Sequence, residues 1–146
     1  MLKGINKIFT GDLLKILCDM GHGDELVIVD ANFPAETMGK RVIKLPGSEG
    51  TEILEAVLEL FPLDHILSEP VVLLDMEPKD RKTGMETPEI WKDFQNIVNK
   101  KAGSTANIGR MSRQEFYNRS KQAYAIIQTG EERLYGDILL VKGVIK

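Results

Sequence analysis

Met20-Gly21-His22-Gly23-Asp24-Glu25-Leu26-Val27-Ile28-Val29-Asp30-Ala31-Asn32-Phe33-Pro34 is the stretch that decides the fold. It opens with a helix stop at Gly21. A strand, Glu25 to Val29, follows, apolar after its first residue, and it ends in an acid and a turn. A strand apolar on both faces belongs inside a layered sheet. In open α/β sheets, ligands bind in the crevice outside the carboxyl ends of the strands. The sequence therefore places an imidazole, which titrates near neutral pH, and the Asp30 carboxylate close together at such a crevice.

Upstream, residues 11–20 read as an amphipathic helix with Leu13, Leu14, Ile16, Leu17 and Met20 on its buried face. Downstream, 41–45 is a short strand. Residues 50–61 form a helix with Ile53, Leu54, Val57, Leu58 and Phe61 inward and Glu52, Glu55 and Glu59 on a solvated face. Val71 to Leu74 is another apolar strand, and the charged, Pro-bounded stretch 77–87 is a loop. Thr87 caps a third long helix with Pro88 at its first position. Its stripe is Ile90, Trp91, Phe94, Ile97 and Val98, and Lys100-Lys101 suit its C-terminal turn. Ser112-Arg113-Gln114-Glu115 has the form of a capping box, so a helix runs from 113 to about 121. Strands at 124–128 and 138–142 close the chain. Strands and helices alternate, which predicts a layered α/β domain with a largely parallel sheet, the closely spaced last two strands being the exception.

The 146 residues fit a single domain, 1–146. A net charge of −3, with 42% hydrophobic and 28% charged residues, argues for a soluble protein and against a dedicated nucleic-acid or anionic-membrane binder. One Cys and two His fall short of the four ligands of a structural zinc site. Cys18 reads as a small packed residue and His65 as a surface or capping histidine. No apolar run reaches the roughly 20 residues of a membrane span, and the N-terminus lacks a signal-peptide pattern. The compartment expected is the cytoplasm. There is no glycine-rich phosphate loop and no Gly-x-Ser-x-Gly elbow.

The polar residues that punctuate strand ends and helix starts are His22, Asp30, Arg113, Tyr135 and Asp137, with Arg110 as a second cation near the same turn. Each has a plain structural reading: a helix-closing histidine, a turn-forming aspartate, an exposed helix-start arginine, an ordinary turn before a strand. A cation at a helix N-terminus opposes the helix dipole, which favours a carboxylate or ligand beside Arg113.

Taken in order, Met1-Leu2-Lys3, Leu13-Leu14-Lys15, Met20 to Glu25, Asp30-Ala31, Phe33-Pro34, Met38-Gly39, Arg113 with Phe116-Tyr117, Ala125-Ile126, Thr129-Gly130-Glu131, Tyr135-Gly136, Ile138-Leu139-Leu140 and Lys142-Gly143-Val144 resemble one family end to end. It is the sugar-mutarotase family that contains the fucose mutarotases and the ribose pyranases. The resemblance implies a ribose pyranase-like, three-layer α/β sandwich and an isomerase with no cofactor and no metal. It implies His22 as proton donor, with Asp30, Arg113, Tyr135, Gly136 and Asp137 binding a monosaccharide. It also implies a homo-oligomeric, commonly decameric, ring with sugar sites at subunit boundaries. Trp91, Met38 and the apolar ends are the interface candidates. The His-Gly-Asp-Glu and Asp-x-x-Phe-Pro blocks and Arg113 are similar to the fucose branch, so L-fucose is the sugar expected. A D-ribose pyranase and a non-catalytic sugar-binding protein are the alternatives. The family segment usually ends in asparagine where this chain has Asp137. An ionised Asp only accepts hydrogen bonds, whereas Asn also donates.

Overall fold

The structure is a computed structural model and describes residues 1–103 and 107–146. Among them, six strands form one sheet: β1 Glu25–Val29, β2 Val42–Leu45, β3 Val71–Leu74, β4 Ile108–Met111, β5 Ala125–Thr129 and β6 Ile138–Val141. The order across the sheet is β2-β5-β1-β6-β3-β4. The β2–β5, β5–β1 and β3–β4 pairs are parallel, while β6 runs antiparallel to both β1 and β3. The exception expected of the last two strands holds for β6 alone, since β5 is parallel to both its neighbours and does not pair with β6.

β1 is buried on both faces because its side chains alternate between two cores. Leu26 and Ile28 face helices α1 (Gly11–Asp19), α3 (Gly50–Leu60) and α5 (Glu89–Ala102), packing with Leu13, Ile53, Val57, Ile90 and Phe94. Val27 and Val29 face the other side, with Phe33, Ala35 of α2 (Ala35–Met38) and Phe116 of α6 (Arg113–Gln122). Register carries the alternation across the sheet: Val27 sits opposite Ile126 on β5 and Leu139 on β6, all in the second core. Two helical layers around a mostly parallel sheet make the expected three-layer sandwich.

Several expectations change. Three short elements escaped the sequence reading: α2, α4 (Pro78–Lys82) in the supposed loop, and β4. Each has four or five residues, too few to show a hydrophobic period. Helix α1 ends at Asp19, and Gly23, with φ +87°, takes the left-handed conformation expected at Gly21. Pro88 is the N-cap of α5, one residue later than read. Cys18 is exposed, not packed. The acid face of α3 is not wholly solvated: Glu55 and Glu59 take Lys100 (3.3 Å) and Lys101 (3.1 Å) from α5. Trp91 is used inside the chain, where its indole N–H donates to the Tyr135 carbonyl at 3.2 Å. Met38 packs against the second core.

Candidate active site

Sheet direction sorts the polar residues into two groups. The parallel strands β1, β3 and β4 end at one edge, and antiparallel β6 begins there. Asp30 follows β1, Glu77 and α4 follow β3, Arg113 opens α6 after β4, and Asp137 precedes β6. These converge on a cleft of about 250 Å³, with Phe33, Tyr117 and Tyr135 also in its lining. His22 precedes β1 and lies at the opposite edge. The strand between His22 and Asp30 is five residues long, or about 17 Å. The expectation that both would meet at one crevice of the chain is thus corrected: proximity in sequence became distance in space because an extended strand separates them.

At the His22 edge the imidazole Nε2 lies 2.7 Å from Oδ2 of Asp64. Asp64 is 6% exposed, and its other oxygen accepts from the N–H groups of Ile66 (2.6 Å) and Leu67 (2.9 Å). The Leu67 N–H first, then those of Ile66 and His22, hold the carboxyl below the usual range against the cost of burial. An ionised carboxylate only accepts, so Nε2 carries the hydrogen and Nδ1 is the nitrogen left for proton exchange. The imidazole itself is 44% exposed.

The loop holding it is pinned from several sides. Gly21 N–H donates to the Asp24 carboxylate at 2.7 Å, and Gly23 N–H to the Lys142 carbonyl at 2.8 Å. Lys142 Nζ donates to the last free carbonyls of α1, Leu17 and Met20, at 2.7 and 2.6 Å. Gly143 N–H donates to the Pro62 carbonyl at 2.7 Å, and a Cβ on Gly143 would collide with the Leu63 carbonyl. That close approach seats Asp64 against His22. Asp64 was missed in the sequence, where Leu63-Asp64-His65 drew attention only to its exposed histidine.

At the other edge, Asp30 N–H donates to Asp137 Oδ1 at 3.0 Å, and the Asp30 carboxylate accepts from Asn32 N–H at 2.9 Å. Burial pushes the Asp30 carboxyl up, opposed by the Asn32 N–H. Asp137 is pushed up much further, by burial and then by the Asp30 charge. Arg113 is 59% exposed and has found the carboxylate its helix-start position favours, Glu77 at 3.0 Å. Tyr117, one helical turn along from Arg113, shares the cleft; that spacing puts both on one face and was readable in the sequence. Burial pushes its phenol up. Tyr135 has φ 62°, and its hydroxyl donates to Asp80 and accepts from Glu77 N–H at 3.0 Å. Burial and then Asp80 push that hydroxyl up. Arg110 is not in the cleft; its guanidinium lies 5.0 Å over the Trp91 ring.

The cleft rests on a buried brace. Thr129 Oγ1 donates to the Val29 carbonyl at 2.8 Å, fixing the end of β1. Buried Glu131 takes Arg133 through both oxygens at 2.9 and 3.0 Å and accepts from Gly50 N–H at the start of α3. A Cβ on Gly136 would sit 2.9 Å from the Glu131 side chain, so glycine lets the Tyr135 turn press onto the brace.

A His22–Asp64 pair at one edge and a polar cleft at the other define the class as a protein with a polar small-molecule site. The chain belongs to the RbsD / FucU transport protein family, whose model matches residues 3–145. It is 40% identical to the fucose mutarotase of Homo sapiens over 147 residues, covering 99% of this chain and 94% of that one. The structure of the fucose mutarotase from Streptococcus pneumoniae in complex with L-fucose is similar with a TM-score of 0.92 and 37% identity, covering 99% of this chain and 100% of that one. RbsD of Bacillus subtilis, complexed with D-ribose, is less similar, with a TM-score of 0.72 and 26% identity over the full length of both chains.

Proposed function

We propose that this chain is an L-fucose mutarotase, an isomerase that interconverts the α and β anomers by opening and reclosing the ring. The observation that carries the reading is the full-length likeness to fucose mutarotases, including one bound to L-fucose. His22 gives a proton from Nδ1 to the ring oxygen as the C1–O5 bond breaks, while a solvent water takes the proton of the anomeric hydroxyl. Rotation about C1–C2 turns the carbonyl, and the reverse transfers close the other anomer. An imidazole can both give and take a proton, so one group serves both directions. Asp64 is a positioning residue that fixes the imidazole tautomer. Asp30, Arg113, Tyr135, Gly136 and Asp137 hold the hydroxyls. The Tyr135 hydroxyl is itself held by Asp80 and Glu77.

The separation of His22 from the Asp30 cleft supports a site composed of two subunits in a ring, the decamer being the assembly that the family resemblance implies. Exposed Ile66 and Leu67 beside Asp64, and exposed Leu134 beside Tyr135, are apolar rims suited to a neighbouring copy. The reading includes a single mutarotase domain working in the cytoplasm; among the described residues no helix is long and apolar enough to cross a membrane. The test is NMR saturation transfer between the anomeric protons of L-fucose. Wild type should transfer and His22→Ala should not. No transfer with wild type removes L-fucose, and D-ribose in the same experiment then separates a pyranase from a binding protein.

A further inference from the structure

Asp137 is the least expected residue in the cleft. It is 3% exposed, and Asp30, itself 5% exposed, donates its backbone N–H to Asp137 Oδ1 at 3.0 Å. Two ionised carboxylates in that position would repel each other with little water to screen them. Among the described residues the cleft's lining holds one cation, Arg113. Of the charged and titratable groups facing the pair, Glu77 and Asp80 come from the β3–α4 connection, and Arg113 and Tyr117 from α6. Arg113 is already engaged by Glu77, and Tyr135, next along the chain, donates to Asp80. Four carboxyl groups thus face one guanidinium.

We propose that Asp30 and Asp137 hold a single proton at neutral pH, so that Asp137 enters the site as a neutral carboxylic acid and donates a hydrogen bond to a sugar hydroxyl. Burial and the Asp30 charge both act in that direction. The pair titrates as a unit, and its proton is held more firmly by Asp137, the more deeply enclosed partner. A neutral acid donates where a side-chain amide would. Raising the pH strips the donor and leaves two negative charges facing the ligand. This deepens the fucose reading and rests on it for the identity of the sugar.

Two measurements test it on the full chain. Infrared spectra of the ligand-free protein are recorded across pH 5–9, for wild type and Asp137→Asn. The affinity for L-fucose is measured by calorimetry over the same range. The expected result is a carboxylic-acid carbonyl band in wild type at pH 7 that titrates away with rising pH and is missing from Asp137→Asn. Wild-type affinity should fall about tenfold per pH unit beyond that titration, and the variant should lack this limb. Absence of the band from wild type at pH 7 overturns the proposal without recourse to any variant. A band common to both proteins places the proton elsewhere and also overturns it. Superimposable affinity profiles overturn the donor role. Failure of wild type to bind L-fucose at any pH sinks the sugar assignment, while the infrared band still decides the proton.

Discussion

Co-expression of two inactive variants, His22→Ala and Asp30→Asn, should restore activity. The five residues of β1 hold the two side chains about 17 Å apart, well beyond the span of one pyranose ring. If each working site combines His22 of one subunit with the Asp30 cleft of another, each variant alone spoils every site. In a ring assembled at random from equal amounts of the two, about a quarter of the boundaries pair two undamaged halves. The mixed assembly should then show about a quarter of wild-type anomer exchange per subunit, read by saturation transfer on L-fucose. Variants purified separately and mixed without subunit exchange should stay inactive, which controls for contaminating wild type. Mixed rings that are fully assembled by sedimentation and still inactive would refute the reasoning. They would mean that both residues of a working site belong to one chain.

Three further outcomes follow from the geometry. Asp64→Asn keeps an acceptor for Ile66 and Leu67 but turns an amide N–H toward His22 Nε2, forcing the other tautomer; anomer exchange should fall on the order of 10²-fold with the fold retained by circular dichroism. Gly143→Ala sets a methyl group against the Leu63 carbonyl; overpacking should cost about 1–3 kcal/mol in urea unfolding and lower exchange as well, because Leu63 carries Asp64 with it. Arg133 first holds the Glu131 carboxyl below its usual range, so the pair's contribution is complete above the unfolded-state pKa of about 4.3 and is lost as pH falls through the lower folded value. Glu131→Gln should therefore be less stable than wild type by about 1–3 kcal/mol at pH 7, with the difference shrinking on acidification in a series of urea melts.

The fold was legible where apolar periodicity is long or unbroken. β1 and β3 could each be read from four consecutive apolar residues, and α1, α3 and α5 from their stripes. β4, Ile-Gly-Arg-Met, could not: it is an edge strand and only Gly109 in it is fully buried. The cleft was partly legible, since Asp30, Arg113 and the Tyr135 segment all mark strand ends or helix starts. Its acids Glu77 and Asp80 were hidden in a stretch read as loop, and Asp64 makes its contact across 42 residues of sequence. Long-range pairs leave no local pattern, so only the fold reveals them. Nearness in sequence also misplaces His22, because the five residues of β1 span about 17 Å, beyond the reach of an imidazole.

β6 explains how one small chain keeps two separated half-sites in register. It is the only strand here that runs against its neighbours, and so it begins at the cleft and ends at His22. At its start Asp137 accepts from Asp30 N–H, and the Asp137 carbonyl accepts from Leu74 N–H at 3.1 Å, tying β1 to β3. At its end Lys142 closes α1 and takes the Gly23 N–H on its carbonyl, while Gly143 admits Leu63. Between these ends Ile138 to Val141 are fully buried and paired on both sides. A shift of β6 by one residue would turn its buried side chains to the wrong cores and would displace Asp137 and Asp64 together. The nine residues from Tyr135 to Gly143 therefore tie the cleft at one edge to the His22 loop at the other, although neither group of side chains touches the other within the chain.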